Sequence, residues 1–277
     1  MAKATTMANA TGPRFPWRTA MITGRGELAS PARLVGVAAR LAVQVFLVVC
    51  LWRGLYVGTA TVAGVDRDHA VTYAVLAVLA ARIREVDRFA ARDEVIQHVT
   101  SGTIVYWFLR PMAARRYYAL RAFGDRLYGF VWVLTGYLVV SALGLVVPPP
   151  SAASAAACAV SLLCGQLTFH YIVLLTDLMC FWALRNESAL LVLGFAQNLL
   201  AGVYVPLWLF PHWFTAVAGV LPFQATLNAP LALYIGRTPA QEALSVVAGQ
   251  LAWALVLAVL TRLLWARAAG RVVVQGG

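Results

Sequence analysis

Apolar stretches long enough to cross a bilayer constrain this chain more than any other feature. A helix needs about 20 mostly apolar residues to span the hydrocarbon core, and six stretches of the sequence are candidates. We predict spans at about 34–57, 70–83, 128–147, 152–175, 188–205 and 243–260. Only 12% of the residues are charged and 61% are hydrophobic, which excludes an ordinary soluble domain. The expected fold is an all-α integral membrane protein with six transmembrane helices.

The basic residues alternate between the two sides of this topology. The net charge is +11, and eighteen of the 22 Lys and Arg fall in the two termini, the 82–126 loop and the 176–187 turn. The opposite loops carry only Arg67 and Arg237. By the positive-inside rule, we expect both termini in the cytoplasm and the chain in the plasma membrane as a multi-pass protein. This alternation accounts for the basic charge, so we expect the lipid bilayer as a partner and no nucleic acid.

Two segments are more than simple spans or loops. The cytoplasmic 82–126 loop contains a mixed-charge helical stretch, an interruption at Ser101-Gly102 and an apolar run that ends at Arg110-Pro111. It fits either a helix at the level of the lipid headgroups or a docking surface for a soluble partner. Residues 202–239 are apolar but contain five prolines, so no unbroken helix crosses them. We expect this stretch to enter the outer leaflet and return, either as a passive outer cap or as an outer gate.

The sequence gives little indication of a nucleotide-binding or metal-binding site. Lys3 is the only lysine, so the chain has no GxxxxGK[ST] phosphate loop of its own. The four cysteines stand singly within apolar runs, without CxxC pairs or Cys/His clusters. We therefore expect no catalytic residue, no metal and no cofactor in this chain.

The two unusual segments resemble those of ABC-2 type transporter permeases, specifically the six-span ABC-2 family transporter proteins. In the loop, the similarity rests on Gly102, Ile104 and Leu109-Arg110-Pro111, and it continues with Phe181-Trp182. The strongest part is Gly202-x-x-x-Pro206-Leu207-x-x-Phe210-Pro211-x-Trp213, followed by Leu221-Pro222-Phe223, Pro230 and Gly236-Arg237. These anchors cover about residues 40–265. The short second span, with Arg82 and Arg84 at its end, departs from the pattern.

The resemblance implies a half-transporter that exports its substrate. Two permeases, the same or different, would pair and bind two separate ABC ATPase subunits, which hold ATP and Mg. The loop after span two would be the coupling element, with Arg88, Asp93, Glu94, Gly102, Arg110 and Pro111 as the candidate residues. The proline-broken hairpin would be the outer gate, with Gly202, Pro206, Phe210, Pro211, Trp213, Pro222, Phe223 and Pro230. The transmembrane domain would occupy residues 34–265, between a cytoplasmic segment at 1–33 and a cytoplasmic tail at 266–277.

Two other functions compete with this one. An ion-coupled secondary transporter or channel needs charged groups deep in its spans. His170 and Asp177 lie seven residues apart on one helix face and could form a proton relay, or could simply bond within the bundle. An integral-membrane lipid-modifying enzyme needs clustered carboxylates or histidines, and the chain has only eleven acidic residues and four histidines. Dependence on a separate ATPase chain distinguishes the transporter from both.

Overall fold

The computed structural model describes Ala20 and residues 31–100, 114–179 and 187–275; side chains are described in these ranges except at 85–100, 114–115, 187–191 and 268–275. Helices account for most of these residues. In chain order they are α1 (Pro31–Leu55), α2 (Arg67–Thr100), α3 (Ala114–Ala142), α4 (Ala152–Leu178), α5 (Glu187–Leu200), α6 (His212–Val220), α7 (Asn228–Tyr234) and α8 (Ala243–Gln275). A two-stranded antiparallel hairpin, β1 (Thr61–Val62) and β2 (Val65–Asp66), joins α1 to α2.

Three helices in the described part of the chain are long and apolar enough to cross a membrane. They are Pro31–Leu55, Ala152–Leu178 and a third that runs from Ala240 to Arg267. An all-α membrane protein agrees with this architecture, apart from the short β-hairpin. The other three predicted spans stay predictions.

Helix α2 lies at the centre of the molecule. It packs against α1, α3, α4 and α7, and between Ala70 and Arg84 its side chains are buried on nearly every side. The contact with α3 is close because glycine lies there: a Cβ at Gly129 would come within 2.9 Å of the Ile83 Cα. Small residues of this kind let membrane helices approach closely, where lipid removes the usual hydrophobic driving force.

Helix α3 ends five residues before the end of the third predicted span. Helix α3 ends at Ala142, whereas the span was predicted over 128–147. Gly144 adopts a left-handed conformation with φ of 66°, and the Leu145 N–H donates back to the Val140 carbonyl at 2.9 Å. This bonding pattern is the Schellman ending of a helix, which glycine favours because it has no Cβ. The following residues run irregularly through the prolines to α4.

The fifth span was also predicted too long. Helix α5 ends at Leu200, whereas the prediction ran over 188–205 and placed the stop at Pro206. Gly202 ends the helix earlier, with φ of 74° and its N–H bonded to the Leu199 carbonyl at 3.1 Å. Glycine therefore ends the helix, and the proline begins the next element.

Helices α2 and α8 are much longer than the spans predicted within them. The predicted span 70–83 lies in a helix that continues without interruption through the mixed-charge stretch 84–94 to Thr100. The predicted span 243–260 likewise continues to Gln275. Charged residues limit the apolar span but do not end a helix, because Arg, Glu and Ala are good helix formers in water.

Candidate functional site

The connection between α5 and α8, residues 202–239, is called here the proline-rich segment. It consists of short pieces: a 3-10 turn at Leu207–Leu209, α6, a second turn at Gln224–Thr226 and α7. A third turn at Ala240–Glu242 follows the segment and leads into α8. Pro206, Pro211 and Pro239 each stand immediately before one of these pieces. Proline fits such positions because the first N–H groups of a helix have no partner within it.

The turn Gln224–Thr226, called here the tip, lies against the middle of α4. A Cβ at Gly165 would come within 2.7 Å of the Ala225 carbonyl oxygen and 3.1 Å of the Thr226 carbonyl oxygen. Gly165 is thirteen residues beyond Ala152, which at 1.5 Å per residue is about 20 Å along the helix. Only glycine permits this approach of two backbones.

Helix α8 holds the tip from a second side through Gln250. Its amide nitrogen donates to the Ala225 carbonyl at 2.7 Å and lies 2.9 Å from the Ser161 hydroxyl of α4. The backbone carbonyl of Gln250 accepts from the Thr168 hydroxyl at 3.0 Å. These side chains are all buried, so their hydrogen bonds are made away from water, where an unmade bond is expensive.

Helix α2 holds the tip from a third side through Arg84. This residue is only 2% exposed. Its Nη1 donates to the Thr226 hydroxyl at 2.5 Å, and its guanidinium lies over the Phe169 ring of α4, 4.0 Å from the ring centre. A buried arginine is costly unless it is hydrogen-bonded and well packed, and an aromatic face stabilises it further. Three helices therefore converge on the tip with polar or close backbone contacts.

Tyr73, near the start of α2, contacts the proline-rich segment at two positions that are far apart in its sequence. Its hydroxyl lies 3.1 Å from the Gly202 carbonyl and 3.0 Å from the Asn228 amide oxygen. Its ring meets the Trp208 ring edge to face at a centroid distance of 4.6 Å. The Arg237 guanidinium lies 5.1 Å from the centre of the Trp208 ring. It also donates a hydrogen bond to the Ala63 carbonyl of the β-hairpin.

The candidate gate residues divide into a buried and an exposed group. The structure buries the glycine and three of the prolines, namely Gly202, Pro206, Pro222 and Pro230. It leaves Pro211 and Trp213 exposed, the latter at 67%. Phe210 stacks on Phe214 beside them, 4.4 Å between ring centres, and Phe223 is half-buried before the tip. The candidates thus follow the whole segment and do not gather at one point.

The junction of β2 with α2 carries a small ionic cluster. The Asp66 carboxylate accepts the Asp68 N–H at 3.2 Å and so caps the start of α2. Partial burial acts to raise the pKa of Asp66, but the hydrogen bond and charge of His69 outweigh it and hold the pKa below its ordinary value. In the part of the chain that the structure describes, no group of three or more His, Cys, Asp or Glu could hold a metal ion.

Comparison with known proteins decides the family. Residues 41–276 match the family model described as ABC-2 family transporter protein. The chain belongs to this family. It is therefore a membrane-spanning transport subunit, a permease, and not itself an enzyme. No curated protein and no solved structure matches the chain.

In this permease, the suspected relay residues of α4 bond to α3 instead of to each other. His170 Nδ1 lies 3.0 Å from Nη2 of Arg126, and the Asp177 carboxylate accepts the Tyr118 hydroxyl at 2.9 Å. Asp125 of α3 is also buried. The two bonds link α3 to α4 through polar side chains, which is the bonding within the bundle that the sequence left as the alternative to a proton relay.

The candidate coupling residues fall largely outside what the structure describes. Arg88, Asp93 and Glu94 lie on the backbone of α2, and their side chains are outside the described set. Gly102, Arg110 and Pro111 lie outside the described residues. Their role in the permease stays a prediction.

Sequence reasoning missed the residues that hold the tip. Tyr73 went unnoticed, and Arg84 was noticed only as a departure from the family pattern. Gln250 and Thr226 are single polar residues in apolar surroundings, and Gly165 is one glycine among 21. An available signal was the polarity itself, since a lone glutamine or arginine in a span usually faces a partner within the protein.

Proposed function

We propose that the chain is the permease subunit of an ATP-driven exporter of the plasma membrane, with both termini in the cytoplasm. It pairs with a second permease, identical or different, and with two ABC ATPase subunits. ATP and Mg bind to those partner chains and not to this one. Membership of the ABC-2 family supports transport by an ABC system. The division of the chain into a transmembrane part and a part that faces the ATPase rests on one structural observation.

That observation is the length of α2. Its 34 residues measure about 51 Å at 1.5 Å per residue, against about 30 Å for the hydrocarbon core. The side chains between Ala70 and Arg84 are nearly all buried, and the helix continues for sixteen residues past Arg84. Those sixteen residues contain positions 85–94 of the mixed-charge stretch, which suits a protein surface better than lipid. A stiff helix of this kind delivers movement of a docked ATPase to the core of the permease.

Affinity purification of the chain from its native membrane in mild detergent tests this proposal. We expect a soluble chain with a Walker A motif to remain bound, with mass identification showing whether a second permease accompanies it. A chain that purifies alone in several detergents would overturn the proposal and favour a channel or an enzyme.

Charge reversal tests the docking of the ATPase more locally. Reversal of Arg88, Asp93 and Glu94 together should weaken retention of the ATPase while leaving membrane insertion intact. The matched control reverses Arg67 and Asp68, which are exposed at the opposite end of the same helix. Wild-type retention by the triple variant would show that α2 is not the docking element.

The proline-rich segment is proposed as the outer gate, entering the membrane from outside and returning. Replacement of Pro211 or Pro222 by alanine should change transport more than it changes assembly with the ATPase. If transport through the assembled complex is unchanged in both variants, the segment is a passive cap.

A further inference from the structure

The tip lies deep in the molecule. It packs about 20 Å along α4 from the residue where that helix begins. Its partner Arg84 lies seventeen residues from the first residue of α2, or about 25 Å along that helix. Both distances exceed half of a hydrocarbon core of about 30 Å. The tip therefore lies level with the middle of both helices, where the charged stretch of α2 begins.

Helix α2 holds the proline-rich segment at two points on one face. Tyr73 and Arg84 are eleven residues apart, and at 3.6 residues per turn this separation is close to three full turns. Their side chains therefore point in nearly the same direction. Tyr73 bonds to Gly202 and Asn228 of the segment, and Arg84 bonds to Thr226 at the tip. Movement of α2 along its axis thus acts on the segment at both points.

The remaining contacts of the tip belong to other helices. Gly165 of α4 and Gln250 of α8 contact the Ala225 backbone, and α4 and α8 also bond to each other through Ser161. When α2 shifts against this pair, the Arg84–Thr226 bond must break or the tip must leave Gly165. Closely packed contacts of this kind have discrete arrangements and do not deform continuously.

We propose that Arg84 and Thr226 are positioning residues for transport: their hydrogen bond carries movement of α2 to the proline-rich segment. This inference rests on the proposed function, because it takes the partner ATPase as the source of the movement. Arg84 and Thr226 contact no ATP and need not contact the substrate. The Phe169 ring keeps the guanidinium aimed at the tip, and the continuous helix from Arg84 to Thr100 connects this contact to the charged stretch.

The test measures how ATP changes the exposure of the proline-rich segment in the complete complex. The four cysteines are replaced, Val220→Cys introduces a single cysteine at a position of α6 that is 73% exposed, and a membrane-impermeant maleimide is applied from outside. The labelling rate is measured with and without Mg-ATP and vanadate. We expect ATP to change this rate in the otherwise unaltered complex. Thr226→Val keeps the shape but removes the hydroxyl, and with it both the bond from Arg84 and the local bond to the Phe223 carbonyl. It should reduce the ATP-dependent change about tenfold, the effect of losing the hydrogen bond to the charged group.

Two control variants separate transmission from stability. Thr226→Ser keeps the hydroxyl and should restore the response. Thr261→Val removes another buried hydroxyl, one whose bonds stay within α8, and should leave the response intact. ATP hydrolysis by the complex should persist in Thr226→Val, because the ATPase sites lie in the partner chains. A merely structural role predicts loss of assembly and hydrolysis together, without selective loss of the labelling response.

Each outcome bears on one proposal. The inference is overturned if Thr226→Val shows the same ATP-dependent change in labelling rate as the wild type. It is also overturned if ATP does not change the labelling rate of the unaltered complex. If Thr226→Val fails to assemble, Arg84→Met decides: it keeps a long side chain but has no donor for the Thr226 hydroxyl, and an undiminished response would refute the role of Arg84. Absence of any ATPase in the purified complex would instead refute the proposed function.

Discussion

Gly165→Ala is the most direct probe of whether the tip lies against α4. The new methyl group would meet the Ala225 carbonyl oxygen at 2.7 Å and the Thr226 carbonyl oxygen at 3.1 Å. Both obstacles are backbone atoms, which cannot rotate away as a flexible side chain can. Ala225 also accepts the Gln250 amide bond, so a displaced tip weakens that contact too. Overpacking of this kind typically costs about 1–3 kcal/mol.

A matched glycine isolates this cost from helix propensity. Gly249 lies within α8, and a Cβ there would have no atom within 4 Å. Alanine gains up to about 1 kcal/mol over glycine in a helix interior, and this gain applies to both positions. The difference between Gly165→Ala and Gly249→Ala therefore reports overpacking alone. At about 2–4 °C per kcal/mol, the Gly165 variant should unfold roughly 2–12 °C below the Gly249 variant.

Thermal unfolding of the purified chain in detergent, followed by tryptophan fluorescence, measures this difference. Gly129→Ala serves as a positive control, since its Cβ would lie 2.9 Å from the Ile83 Cα at the contact of α2 with α3. If Gly129→Ala lowers the midpoint and Gly165→Ala matches Gly249→Ala, the tip is not seated on α4. The proposed transmission through Thr226 would then lose its basis.

Three further perturbations test other contacts. Tyr73→Phe should lower unfolding stability by about 1–3 kcal/mol, because it removes the hydroxyl whose proton is donated to the buried Gly202 carbonyl or to the Asn228 amide oxygen; an unchanged midpoint would contradict the contact. Gln250→Leu should destabilise the protein by a similar amount. Gln166→Leu should be neutral or stabilising, because the buried Gln166 amide has no hydrogen-bond partner among the described residues. Equal losses of stability in the two variants would refute this contrast. Asp66→Asn should lower the midpoint by a constant amount at neutral pH. The pKa of Asp66 in the folded protein is below its ordinary value of 3.8. The wild type should therefore be more stable than the variant by its full amount above pH 3.8, and this difference should disappear as the pH falls through the folded pKa. A stability difference that first appears on acidification would contradict the direction of the pKa shift.

The sequence predicted the membrane class and the location of the unusual segments, because these depend on local features. Apolar length identifies helices such as α1 and α4 without any tertiary information. Prolines identify the segment between α5 and α8, because each removes a backbone donor wherever it lies. Helix ends were less predictable. Gly144 and Gly202 end their helices by adopting positive φ, and glycine inside an apolar stretch is equally compatible with helix–helix packing, as Gly129 shows.

The contacts of the tip could not be predicted, because they depend on which helices meet. Arg84 and Thr226 are 142 residues apart in the chain, and Tyr73 and Asn228 are 155 apart. Polarity within a span signals that a partner exists but does not identify it. His170 and Asp177 illustrate the ambiguity: their spacing places them on one helix face, yet that face meets α3, which supplies Arg126 and Tyr118 as partners.

The same physics explains why polar residues hold the tip together. Lipid tails are as apolar as the side chains of the helices, so helix association in a bilayer gains little from the hydrophobic effect and depends on close packing and hydrogen bonds. The tip brings backbone groups to the middle of the helices, where unmade hydrogen bonds are costly. Gly165 permits the approach, Gln250 satisfies the Ala225 carbonyl and Arg84 binds the Thr226 hydroxyl. A segment held by a few strong contacts changes position when one of them is exchanged, so the contacts that stabilise the tip are also those through which α2 can move it.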